Sequence, residues 1–183
     1  MKVLFVYPVP PSRYQILRYQ QGIGYLSAIL KKAGHETRLL TISAMEPDLL
    51  SATLDSFHPQ LVAISLTSGF MDLTREIAGW VAANHQIPVL LGGVHPTVCP
   101  EESIAAEGVF AICRGEGEYP LLELCEAMQH GRDPSGIANL WVNLGGQVHR
   151  NEVRPLITDL DALPYPDREL FDFSGMMRHF SEA

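Results

Sequence analysis

The sequence predicts a doubly wound α/β fold built on a parallel sheet, and three observations carry that reading. Five short runs rich in Val, Ile, Leu and Phe alternate with stretches of helical spacing, the pattern of repeated strand–crossover–strand units. The runs at 61–66 and 89–91 are apolar without alternation, so these strands are buried on both faces, as central strands of a parallel sheet are. Small and polar residues recur where the strands end, at Ser65-Leu66-Thr67-Ser68-Gly69, at Gly92-Gly93 and at Arg114-Gly115-Glu116-Gly117-Glu118. They therefore collect along one sheet edge, where open α/β folds bind ligands.

The elements follow in order. Residues 3–7 form the first strand, ended by a loop holding Pro8, Pro10 and Pro11. Helical spacing over 23–32 closes at Gly34, which suits a C-cap. Residues 36–42 are the second strand, 47–57 a helix opened by Pro47, and 61–66 the third strand. Residues 72–84 form a third helix, with Asp72 at the positive end of its dipole. The fourth and fifth strands lie at 89–91 and 109–113, and 118–130 is the last long helix, ending at Gly131. Right-handed crossovers between such strands give the flavodoxin-like (Rossmann-like) order 2-1-3-4-5. Residues 140–144 and 147–153, separated by Gly145-Gly146, add a C-terminal β-hairpin. The expected organisation is an α/β domain over 1–135, a hairpin extension over 136–154, and a strap rich in Pro and Asp over 155–183 that leads toward a further domain.

A chain of 183 residues that is 46% apolar can bury a full core. Thirteen Lys and Arg against 21 Asp and Glu give a net charge of −8 with no basic run, which argues against nucleic acid and anionic membranes as partners. The apolar run after Met1-Lys2 stops at Pro8, too early for a signal peptide. No run approaches the roughly 18 residues of a membrane span, and a cytoplasmic protein is expected. Cys99, Cys113 and Cys125 fit no zinc, redox or iron–sulfur spacing and read as reduced, mostly buried thiols. The seven histidines are scattered, with no HxxxH or HxH pair near a carboxylate, so no metal ligands are assigned. No P-loop, GxGxxG or Ser-His-Asp set is present, and no catalytic residue is assigned.

The candidate binding residues lie at the strand ends. A side chain at Gly92 or Gly93 would keep a ligand from the backbone. Ser65, Thr67 and Ser68 end a central strand and suit a ligand role, or equally a helix cap before Asp72. His95, two residues past the glycine pair, suits donation to a phosphate or amide, or capping of the helix that follows. Glu116, inside the turn of Gly115 and Gly117, suits hydrogen bonds from ribose or amide groups.

Taken together, the first strand with its proline loop (3–8), QGIGYLSAILKKAGHE (21–36), ISLTSG (64–69), LLGGVHPTVCPEE (90–102), CRGEGEYPLLEL (113–124) and DLDALPYPDRELFDF (159–173) form a recognisable series. The series resembles the N-terminal cobalamin-binding domain of cobalamin-dependent radical S-adenosylmethionine enzymes. The resemblance implies cobalamin binding by Pro8, Tyr14, Gly22, Gly24, Ser65, Thr67, Ser68, Gly92, Gly93, His95, Pro96, Gly115, Glu116 and Gly117. In such domains the serine and the glycine pair line the slot for the nucleotide tail. Where the methionine synthase and mutase type carries DxHxxG, this chain has Tyr7-Pro8-Val9-Pro10-Pro11-Ser12, so the resemblance implies base-off cobalamin without a histidine below cobalt. The CxxxCxxC motif is missing, so the 4Fe-4S cluster and S-adenosylmethionine are expected on a C-terminal radical domain of a parent protein. This chain would be a truncated domain, not catalytic alone, and the parent a methyltransferase or cyclase acting on unactivated carbon. The residues by themselves leave open a non-catalytic flavodoxin-like domain for nucleotide or flavin. A receiver domain is disfavoured by Tyr7 and Pro8 where it needs acids.

Overall fold

The computed structural model describes residues 1–11 and 19–171. One sheet of seven strands holds β1 (Lys2–Pro8), β2 (Glu36–Ile42), β3 (Leu61–Leu66), β4 (Val89–Gly93), β5 (Val109–Cys113), β6 (Leu140–Leu144) and β7 (Gln147–Arg150). Their order is β2-β1-β3-β4-β5-β6-β7. β1 to β5 are parallel, in the predicted order 2-1-3-4-5, and β6 and β7 continue the same sheet antiparallel. Gly145 and Gly146 both have positive φ, which fits the tight hairpin turn between β6 and β7.

Alternate side chains of each strand enter two cores. Leu4, Val6, Val62, Ile64, Val89 and Leu91 pack under α2 (Pro47–Phe57) and α3 (Met71–His85), while Val3, Phe5, Leu61, Ala63 and Leu90 face α1 (Gln21–Lys32) and α6 (Glu118–Gln129). Both faces are covered, as the unbroken apolar strands require.

Three elements depart from the sequence reading. β4 runs on through the glycines, because Ser65 pairs with Gly92 and Leu66 with Gly93. After Gly93, where the sequence reading set no element bounds, the chain holds two short helices, α4 (Val94–Val98) and α5 (Pro100–Ile104), with Cys99 as the last cap of one and the first of the other. β7 stops at Arg150 because the Asn151 side chain donates to the Leu140 and Ser135 carbonyls, both at 2.8 Å. A side-chain amide thus takes over where the ladder would continue.

Residues 155–171 lie along the α1–α6 face. Asp167 accepts from Ser27 Oγ at 2.6 Å and pairs with Lys31 Nζ at 2.6 Å, and its N–H donates to the Gly24 carbonyl at 2.9 Å. Phe171 is buried against Tyr19, edge to face, with ring centroids 5.1 Å apart. Among the described residues no helix is long and apolar enough to cross a membrane.

Candidate functional site

The crossovers after β2, β3 and β4 all run on the α2–α3 face, so among the described residues α1 and α6 cover the other side together with Leu170 and Phe171 of the strap. Between the starts of these two helices and the carboxyl ends of β1, β3, β4 and β5 lies a cavity of about 310 Å³. Its walls are apolar, from Phe5, Ile23, Leu26, Ala63, Leu90 and Leu121, and polar groups enter at Gln20, Ser65, Glu116 and Glu118. A slot of this kind suits a flat apolar ring held by a few directed hydrogen bonds.

The glycine pair splits its work. Gly92 lines the cavity, and a Cβ there would meet nothing within 4 Å, so any side chain would extend into open space at the cavity. Gly93 has φ +99°, and a Cβ would come within 2.7 Å of the Leu66 carbonyl oxygen. Its glycine is therefore demanded by the contact with β3 before any ligand arrives, and Gly93 lines the cavity as well.

The 114–118 turn is shaped from two sides. Thr97 Oγ1 donates to the Gly93 carbonyl at 2.9 Å and accepts the Gly115 N–H at 3.0 Å. The buried Asn139 donates to the Arg114 and Glu116 carbonyls at 2.8 and 3.3 Å and accepts from the Arg154 N–H and Nε. Glu116 Oε2 accepts the Ile157 N–H at 2.7 Å, which brings the neighbouring Leu156 to the cavity. Glu118 Oε2 is buried without a partner, an acceptor left for a ligand donor. Cys113 also lines the cavity. Burial, then the Glu118 charge, pushes its thiol up to about 12, which keeps the thiol protonated at neutral pH.

Of the residues singled out in the sequence, Gly22, Ser65, Gly92, Gly93, Gly115, Glu116 and Gly117 line this cavity. Pro8, Gly24, Thr67, Ser68, His95 and Pro96 lie outside its lining, and Tyr14 falls outside the described residues. Pro8 is buried and paired with Ile42. Gly24 makes room for the strap, since a Cβ would meet Pro166 Cβ at 3.2 Å. The capping alternative for the serine cluster is not realised: Thr67 and Phe70, which precede the two helical turns there, make no side-chain cap bond. Ser68 Oγ instead lies 3.0 Å from His95 Nδ1. Sequence reasoning missed Thr97, Glu118 and Asn139. The signal for Glu118 was the GEGE turn itself, whereas Thr97 needed the unread helix α4.

Fold and cavity define an open α/β binding domain whose ligand enters at the carboxyl edge of a parallel sheet. The chain belongs to the B12 binding domain family, whose model matches residues 19–125, and cobalamin is its cofactor. An uncharacterised methyltransferase of Pyrococcus horikoshii is 30% identical over 93% of this chain and 39% of its own length. The anaerobic magnesium-protoporphyrin IX monomethyl ester cyclase of Rubrivivax gelatinosus is 28% identical over 89% of this chain and 32% of its own. The chain thus spans well under half of these relatives. Among solved structures, the cobalamin-dependent S-adenosylmethionine radical enzyme OxsB, with aqua-cobalamin and S-adenosylmethionine bound, matches at TM-score 0.80 and 20% identity, over 98% of this chain and 25% of that one. The radical S-adenosylmethionine methyltransferase TsrM of Kitasatospora setae, with cobalamin and a [4Fe-4S] cluster bound, matches at TM-score 0.72 and 22% identity, over 90% and 31%. The resemblance read from the motifs is borne out at the level of family and fold.

Proposed function

We propose that the chain holds cobalamin base-off, its dimethylbenzimidazole tail in the cavity between α1 and α6, as the N-terminal module of a radical S-adenosylmethionine enzyme. The observation that carries this is Gly92: beside Ser65, it leaves open space on the floor of an apolar slot. A planar aromatic base fills such a slot, and the Ser65 hydroxyl and the unpaired Glu118 oxygen suit its polar edge and the sugar beyond it. Among the described residues no histidine lines the cavity, which supports a cobalt without a protein base below it. Bound cobalamin would supply carbon–cobalt chemistry, and the chain binds it, orients it and keeps its tail from water.

The strap over 155–183 is read as the connection to a radical domain that would carry the 4Fe-4S cluster and S-adenosylmethionine. The printed functions of the relatives, a methyltransferase and a cyclase, support a parent enzyme of one of these two kinds. Electron paramagnetic resonance of the cobalt(II) form tests the binding mode. The expected spectrum lacks nitrogen splitting on the cobalt lines. A three-line nitrogen splitting, or failure to retain any corrinoid after desalting, overturns the reading.

A further inference from the structure

On the α2–α3 side of the sheet edge, apart from the cavity, three side chains of different ligand type meet. His95 stands on α4, Cys99 at the break between α4 and α5, and Glu102 on α5. One ligand atom from each lies within 4.8 Å of the other two. Their positions are i, i+4 and i+7, spacings that share one helix face, and the cap at Cys99 keeps them together across the break. The resulting HxxxCxxE pattern contains neither an HxxxH nor an HxH pair.

Two further observations separate this cluster from a chance gathering of polar groups. His95 is 4% exposed, and its Nε2 has no hydrogen-bond partner, with Glu102 Oε2 at 3.5 Å. A buried nitrogen left so keeps the penalty of its lost hydration uncompensated. The other ring nitrogen is held by Ser68 Oγ at 3.0 Å, and the other Glu102 oxygen by Arg75 Nη2 at 2.5 Å. Both ligating groups are therefore oriented from behind, as metal-bound imidazoles and carboxylates are.

The geometry points to a site for one divalent transition-metal ion, zinc by preference, bound by His95 Nε2, the Cys99 thiolate and a Glu102 oxygen, with water in the fourth position. A thiolate with an imidazole selects zinc over magnesium or calcium, and three protein ligands leave a tetrahedral ion one open place. With bonds of about 2.0–2.3 Å, ligand atoms stand roughly 3.5 Å apart, so the group must close by about 1 Å. The half-buried Cys99 and exposed Glu102 can do so by rotamer changes. Binding releases the Cys99 proton to solvent. Such an ion would clasp α4 to α5 two residues beyond Gly93, and so brace the element that leaves the cavity floor.

The test uses the full chain without corrinoid, so its outcome is independent of cobalamin binding. Cobalt(II) is titrated in as a spectroscopic substitute, then zinc(II) as competitor. Expected are a thiolate-to-cobalt charge-transfer band, tetrahedral d–d bands, their loss on adding one equivalent of zinc, and one zinc retained after desalting. Cys99→Ser should abolish the charge-transfer band and Glu102→Gln should weaken binding at least tenfold. Glu101→Gln, on the exposed residue beside it, should bind as the parent does. Cys113 and Cys125 are buried and cannot give the band. Absence of the band, its survival in Cys99→Ser, or equal affinity of the Glu101 and Glu102 variants overturns the proposal.

Discussion

The Gly115 N–H donates to Thr97 Oγ1 at 3.0 Å, and through that hydroxyl the turn after β5 is tied to the end of β4. The same oxygen donates to the Gly93 carbonyl at 2.9 Å. Two glycine turns that border the cavity from different strands are thus linked by one exposed side chain on α4.

Thr97→Val keeps the shape of this residue and removes both bonds. The expected loss of stability is about 1 kcal/mol, since each net bond is worth about 0.5–1.5 kcal/mol and this one is solvated. Corrinoid retention should weaken several-fold as the turn at Gly115 loosens. Urea unfolding and equilibrium dialysis read the two effects separately; unchanged dialysis would show that the turn is held elsewhere.

Gly92 and Gly93 should respond in opposite ways to substitution. Gly92→Leu enters open space, so the apo protein should unfold at nearly the parent's midpoint while corrinoid binding is lost. Gly93→Ala meets the Leu66 carbonyl at 2.7 Å with φ +99°, and should cost the apo protein about 1–3 kcal/mol. Thermal unfolding with and without corrinoid separates them.

Acid should loosen the strap. Burial pushes the Asp167 carboxyl up, but hydrogen bonds from Lys31 and Ser27 outweigh it and hold the group below its ordinary value of 3.8. Its folded pKa is lowered, so its contribution is present above the unfolded value and is lost as pH falls through the folded one. Asp167→Asn should cost about 1–2 kcal/mol at pH 7, discounted for the half-exposed Lys31. It should also flatten the fall in stability below pH 4, measured by urea midpoints across that range.

Thiol chemistry should distinguish the three cysteines. Burial, then Glu118, pushes Cys113 up to about 12, and burial pushes Cys125 to about the same value. At pH 8 a disulfide reagent should titrate Cys99 alone in the metal-free native protein, and all three after denaturation. Prompt reaction of all three thiols in the native state would contradict the packing described.

The sheet was legible because its central strands are unbroken apolar runs and the spacing of the strands dictates crossovers: Leu61–Leu66 reads as a buried strand from its residues alone. The glycine pair was legible as a place of close approach. Its division of labour was not, because that depends on the register that sets Leu66 opposite Gly93. α4 and α5 were hidden by their shortness, five residues each with prolines in both, which leaves no period to read. Asn139 was invisible for another reason. Its contacts to Arg114, Glu116 and Arg154 join segments that only the folded chain brings together, and nothing local marks an asparagine for that work.

The burial of Phe171 beneath the strap orders events during synthesis. Every strand among the described residues lies within the first 150, so this sheet can assemble while residues 155–171 are still within the ribosome. Until they emerge, the α1–α6 face lacks Phe171, and Ser27 and Lys31 lack the Asp167 carboxylate that binds both. A nascent chain at that stage offers an open apolar seam to chaperones and to other nascent chains. The seam closes only as residues 155–171 are made and dock.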